Sequence, residues 1–177
     1  MKWTANFLPF GVLVASVSAG PIAKRQLDLY ELQISCPANE NLDGRFLSLQ
    51  NNTLGVFDGN KVSPIQVYQI ESEKEDCIEL HTYPVGIVDH TLGLMGPPGL
   101  LALVDMTNPR TIDPGEGTVA QWDTFRITKG KLGNSIDGQW LAFPGQNDRW
   151  AVKWSDGSAV IIGNSMVINI IYKNINK

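Results

Sequence analysis

Apolar and polar residues alternate in short runs along most of this chain, and clusters of Gly, Pro, Asn and Asp separate the runs. A period of two puts successive side chains on opposite faces of a strand, and no stretch of ten or more residues keeps the helical period. The clearest predicted strands are 29–35, 45–50, 54–58, 65–71, 100–105, 123–128, 139–143, 150–154 and 166–172. Asp113-Pro114-Gly115-Glu116-Gly117 is the clearest loop. The pattern is that of an all-β chain.

The runs also repeat. Asp43-Gly44-Arg45-Phe46-Leu47-Ser48-Leu49 aligns with Asp137-Gly138-Gln139-Trp140-Leu141-Ala142-Phe143, and each is followed by a polar turn and a second strand. Midway, Asp89-His90-Thr91-Leu92-Gly93-Leu94 leads to a turn at Pro97-Pro98-Gly99 and the strand Leu100-Leu101-Ala102-Leu103. A third strand follows in each unit, at Val67–Ile70, Asp123–Ile127 and Val167–Ile171. Three units of about 47 residues fit a β-trefoil, a closed barrel carrying a hairpin cap. A β-sandwich is the alternative. Closure suits Met166 to Tyr172, a flat β-branched run that would invite aggregation on an open edge. That strand is expected to be paired on both sides, with Asn169 turned outward or hydrogen-bonded.

The first 25 residues break the pattern. Lys2 precedes an apolar run from Phe7 to Val17, and Val17-Ser18-Ala19 supplies the small residues of a signal-peptidase site. Lys24-Arg25 then forms a dibasic pair of the kind cut by kexin-type proteases of the fungal secretory pathway. The expected organisation is a signal peptide over 1–19, a short propeptide over 20–25, and a single β domain over 26–177. The protein is expected to be secreted. No run after the leader approaches the ~18 apolar residues of a membrane span, and residues 166–177 are too polar for a GPI signal, so no membrane anchor is expected.

Charge narrows the partners. The chain has 14 basic and 18 acidic residues; the leader removes Lys2, Lys24 and Arg25 and no acid, leaving 11 against 18, or −7. With no Lys/Arg cluster to follow a phosphate backbone, nucleic acid is not an expected partner. A chain of 152 residues can bury one sizeable core, and a monomer is expected.

Cys36 and Cys77 are the only cysteines, and in an oxidising compartment an even pair predicts a disulfide. Closing a loop of about 40 residues would contribute roughly 4 kcal/mol in the chain-entropy account. Asn51-Asn52-Thr53 is the single glycosylation sequon, in a polar turn between two apolar runs.

Little in the sequence points to catalysis. The two histidines, His81 and His90, accompany no Gly-x-Ser-x-Gly elbow and pair with no Cys or His at metal-ligand spacing, so neither a triad nor a metal site is expected. His81 is placed at a strand end and His90 in a turn. Asp43, Asp89 and Asp137 recur at matched positions, where Asp beside a turn bonds its own backbone. Glu71, Glu73, Glu75 and Asp76 surround Lys74 in what reads as a solvated hairpin loop. No catalytic residue and no cofactor is assigned.

The densest unusual composition is residues 137–157, where Trp140, Phe143, Trp150 and Trp154 interleave with Asn147, Asp148, Arg149 and Asp156. Indole faces stack on pyranose rings while Asp and Asn satisfy hydroxyls, so Trp140, Asn147, Asp148, Trp150 and Trp154 form a candidate carbohydrate site. The competing reading puts the same aromatics in the barrel core. Phe125-Arg126-Ile127-Thr128-Lys129-Gly130-Lys131-Leu132, Gly138–Pro144 and Trp150–Trp154, with the leader and dibasic site, resemble small secreted proteins of filamentous fungi of the phialide cell-wall protein type. That resemblance implies a wall-associated or host-facing protein without a catalytic centre. The leading expectation is a secreted, non-enzymatic protein acting at the cell wall or host interface through cell-wall polysaccharide. Second comes an effector or protease-inhibitor-like module that binds a host extracellular protein through a loop such as Gly96-Pro97-Pro98-Gly99. Third comes a carboxylate-dependent glycoside hydrolase.

Overall fold

The computed structural model describes residues 27–57 and 62–176. The expected signal peptide and propeptide, with Lys24 and Arg25, lie outside the described residues. The predicted strands appear as β1 (Tyr30–Ser35), β2 (Ser48–Gln50), β3 (Thr53–Val56), β4 (Gln66–Glu71), β7 (Leu100–Thr107), β9 (Phe125–Thr128), β11 (Gln139–Pro144), β12 (Trp150–Ser155) and β13 (Met166–Asn174). Four more join them: β5 (Ile78–Thr82), β6 (His90–Gly96), β8 (Val119–Gln121) and β10 (Lys131–Asn134). The one helical turn among the described residues is a 3₁₀ segment, Pro109–Thr111.

Pairing is antiparallel throughout, and the sheet closes on itself. β1 pairs with β4, β4 with β5, β5 with β9, β9 with β10, β10 with β13, and β13 returns to β1, a ring of six. A longer ring of nine runs β5–β6–β7–β3–β12–β11–β13–β1–β4. The hairpins β2–β3, β6–β7 and β11–β12 stand on this framework, and their strands β3, β7 and β12 pair with one another. Such closure removes the free edges along which strands aggregate. β13 is accordingly paired with β1 on one side and with β10 and β11 on the other. Asn169 is turned away from the core and accepts a hydrogen bond from Lys131 Nζ at 3.2 Å.

Alternation explains the core. Leu32 and Ile34 of β1, Val67 of β4, Leu80 of β5, Phe125 of β9, Leu132 of β10 and Ile168 and Ile170 of β13 are buried within one cluster. Leu54, Leu92, Leu94, Leu103, Trp140 and Val152 extend it under the hairpins. Burying a side chain of this size contributes ~1.5–3 kcal/mol, so packing dominates the stability of the fold.

The expected disulfide does not form: Cys36 and Cys77 are both free and buried. Register gives the reason. Tyr30 faces Val67, and Glu71 faces Ile78, so β1 carries Cys36 away from Val67 in one direction while β4 carries Cys77 away in the other. Around the ring the other way, Ser35 faces Asn169, Leu132 faces Ile170, Asn134 faces Phe125 and Phe125 faces Ile78, which leaves the two cysteines about four strand spacings apart, roughly 19 Å along the sheet at ~4.8 Å per strand. A disulfide needs α-carbons within about 7 Å.

The sequon sits as expected. Asn51 and Asn52, with φ of 50° and 59°, form the two-residue turn of the β2–β3 hairpin, and both are exposed. Two positive-φ residues make the turn whose twist matches its flanking strands, and Asn tolerates that conformation.

Candidate functional site

The polar chemistry of the fold concentrates where β5 gives way to β6. Leu80 points into the core, so Glu79 and His81 alternate to the other face of β5, yet both are buried there, at 6 % and 7 % exposure. His81 Nε2 lies 3.1 Å from Glu79 Oε2, and His81 Nδ1 lies 2.8 Å from Asp89 Oδ1 and 3.3 Å from Thr91 Oγ1. Thr91 is its direct cross-strand partner. Arg110, from the 3₁₀ turn, reaches Glu79 Oε1 at 3.5 Å and Glu73 Oε1 at 3.1 Å. Its guanidinium is pushed further above its ordinary value, first by the hydrogen bond and charge of Glu73 and then by Glu79. Tyr68 stacks on the His81 ring at 5.5 Å. Burial, reinforced by the Asp89 charge, raises the Tyr68 phenol above its ordinary value.

One residue further on, the chain turns to the opposite side of the ladder. His90 faces Thr107 and Leu92 faces Asp105, which makes His90 and Asp105 diagonal neighbours on one face. His90 Nδ1 is 2.7 Å from Asp105 Oδ2. Asp105 is the buried partner, with its side chain 6 % exposed, and its Oδ1 finds no hydrogen-bond partner among the described residues. This pair lines a cleft of about 600 Å³. Leu49, Pro64 and Ile65 form an apolar wall, while Ser63, Gln66, Thr82 and Tyr83 add polar groups. Tyr83 N–H donates to Gln66 O at 2.9 Å and fixes one side of the opening. A smaller space of about 140 Å³ shares Thr82, Pro84 and His90 and is roofed by the loop from Val85 to Asp89. On that loop Val85 and Ile87 are exposed at 58 % and 107 %.

A carboxyl oxygen without a hydrogen-bond partner, beside polar groups and an exposed aromatic ring, is an arrangement chemically able to orient hydroxyl or amide groups. Buried acceptors without donors are rare, and ligands or ordered water satisfy them.

The aromatic set expected to bind sugar is not gathered on one surface. Trp140 and Trp154 are in the core, edge to face at 5.1 Å, and Trp140 Nε1–H donates to Leu132 O at 2.7 Å. Register is again the cause, because Trp140 faces Trp154 directly across β11–β12 on the inward side. Asn147 and Asp148 are exposed at the hairpin tip with φ of 56° and 53°, so they shape a tight turn. Trp150 is half-buried, packed on the core and beside Pro144 and Met166 in a separate cleft. The Gly96–Gly99 loop is a close turn whose Gly99 lies against Ala159 and Ser158.

Among the repeated aspartates, Asp43 precedes Gly44 at a φ of 76°, as a turn requires, but its carboxylate accepts the N–H of Cys36, seven residues earlier, at 2.6 Å rather than bonding its own turn. Asp89 binds His81 instead, a role its sequence context does not mark. His81 is inside β5 rather than at its end, and His90 opens β6 rather than a turn. Asp105 did carry a signal: an aspartate within the apolar strand Leu100–Thr107 is either paired or functional.

Compared with models of protein families, with curated proteins and with solved structures, the chain matches none.

Proposed function

We propose that this chain is a secreted, non-catalytic β-trefoil domain that binds carbohydrate at the fungal cell wall or host surface, with the ligand in the His90–Asp105 cleft. The trefoil reading is supported by the six-strand ring, by the three hairpins, and by the mutual pairing of β3, β7 and β12. Secretion rests on the leader and on Lys24-Arg25. The observation that carries the ligand class is the buried Asp105 carboxylate with one oxygen unpaired, in a cleft that also holds Tyr83, Gln66 and Ser63. Sugar hydroxyls are donors of the right kind for that oxygen, and the Tyr83 ring, 44 % exposed, offers an apolar face for a pyranose.

The test is co-sedimentation of the purified protein with insoluble chitin, β-glucan, cellulose and mannan. Retention on at least one polymer is expected, with loss of about tenfold or more in affinity for Asp105→Asn and Tyr83→Ala variants that keep the native circular-dichroism spectrum. Retention that is unchanged in both variants overturns the cleft as the site. Absence of retention on every polymer overturns the ligand class and favours the second reading, a host-protein binder. That reading is supported by the loop Tyr83–Val88, whose Val85, Ile87 and Val88 are displayed to solvent. Ile87→Asp would then abolish binding to the partner without affecting stability.

A further inference from the structure

A second space lies between the β6–β7 turn, β8 and the end of β12, on residues separate from the cleft. It measures about 130 Å³. Leu101, Val119 and Ile136 supply apolar wall, and Gln121, Trp154 and Asp156 supply polar groups. Trp154 is 6 % exposed, and its indole N–H finds no acceptor among the described residues. Its partner ring, Trp140, has one. An indole buried this deeply normally donates, so the exception points to a missing acceptor. At the mouth, Asp156 Oδ1 accepts from Ser158 N–H at 2.8 Å and from Ser158 Oγ–H at 2.6 Å. Those bonds hold the carboxyl below its ordinary value and keep a negative charge at the rim.

Size and polarity together define the occupant. The space holds about four water volumes, too little for a pyranose ring and enough for a small planar acyl group. The donor asks for a carbonyl, and the apolar wall asks for a methyl. We propose that this cavity binds the acetamido group of an N-acetylated sugar, with its carbonyl accepting from Trp154 Nε1–H and its methyl against Leu101 and Val119. The sugar ring stays outside, where Asp156 and Gln121 meet its hydroxyls. An acetylated lysine would instead bring a long apolar stem across that charged rim, which disfavours it. The proposal stands independently of the His90–Asp105 cleft.

The indole N–H signals of the ¹⁵N-labelled full chain report directly, with Trp154→Phe assigning the signal. Titration with N,N′-diacetylchitobiose is expected to shift the Trp154 signal saturably, and the fully deacetylated disaccharide to bind at least tenfold more weakly. Ile136 is 44 % exposed at the rim, so Ile136→Trp fills the mouth without disturbing the core and is expected to weaken the sugar at least tenfold. This variant carries the test if Trp154→Phe fails to fold. Asp105→Asn is expected to leave the titration unchanged, which separates this site from the cleft. A Trp154 signal that no N-acetylated sugar moves overturns the proposal. So does equal binding of the deacetylated disaccharide, or tighter binding of Nα-acetyl-lysine amide than of the sugar.

Discussion

Tyr172 shows how one side chain can limit a well-packed barrel. Its ring stacks on Tyr30 at 4.0 Å, yet its hydroxyl is buried with no hydrogen-bond partner among the described residues. Burial, helped by Tyr30 and Asp28, raises the phenol well above its ordinary value of 10.0. A group raised in the fold keeps its share of stability below the unfolded value and loses it as pH climbs toward the folded one. Stability is therefore expected to hold through neutral pH and to fall above about pH 10, as unfolded chains ionise first. Tyr172→Phe removes both effects. Urea denaturation at pH 7 is expected to show a gain of about 1 kcal/mol, because an unsatisfied hydroxyl is gone, and the decline above pH 10 to become shallower. A loss of stability at pH 7 would mean that the hydroxyl has a partner.

At the scale of the element, β5 is held to β6 by more than ladder hydrogen bonds. Both ring nitrogens of His81 meet carboxylates, and Arg110 closes the far side of Glu79. Removing one member strands a buried charge, whereas removing two can restore balance. His81→Leu is expected to cost about 3 kcal/mol, and the double variant Glu79→Leu/His81→Leu to recover at least half of that; chemical denaturation of the two single variants and the double measures the coupling. A double variant as unstable as the sum of its parts would show that the network contributes nothing as a unit. This network also marks the limit of the sequence. β1 was legible because Tyr30, Leu32 and Ile34 alternate with polar residues, and β13 because Met166 to Tyr172 is a β-branched apolar run bounded by polar residues. β5 was not, because Glu79 and His81 are buried polar residues in a strand and mimic a solvated hairpin arm. β10 offers one apolar residue, Leu132, and β8 spans three residues, too little for a period to register. The candidate site was missed for the same reason as β5: its chemistry comes from cross-strand register, which brings His90 to Asp105 across 15 positions of sequence. The aromatic cluster misled because density of tryptophan reads alike for a core and for a sugar face, and only the inward register of Trp140 and Trp154 decides between them.

For the whole molecule, closure decides which apolar side chains are left at the surface. With the sheet closed, the three most exposed large apolar side chains among the described residues, Ile87, Ile162 and Val160, are on loops, and Val167 of β13 follows at 60 %. A rigid barrel presenting variable loops is a general arrangement for recognition. Closure also replaces the covalent staple that the two cysteines suggested. A core of buried strands drawn from every part of the chain ties residues 30–35 to 166–174 through one ladder, so the termini of the domain are already joined. Cys36 and Cys77 serve as small apolar residues, one beside Val167 O and the other at the end of the β4–β5 hairpin. Reductant is therefore expected to leave the melting temperature unchanged within about 1 °C. Thiol titration without reductant is expected to find two reactive groups per chain in denaturant and almost none in the native protein, because burial shields both. A drop of several degrees with reductant, or fewer than two thiols in the unfolded chain, would mean that the cysteines are linked and that the register of β1 against β4 differs from the one described.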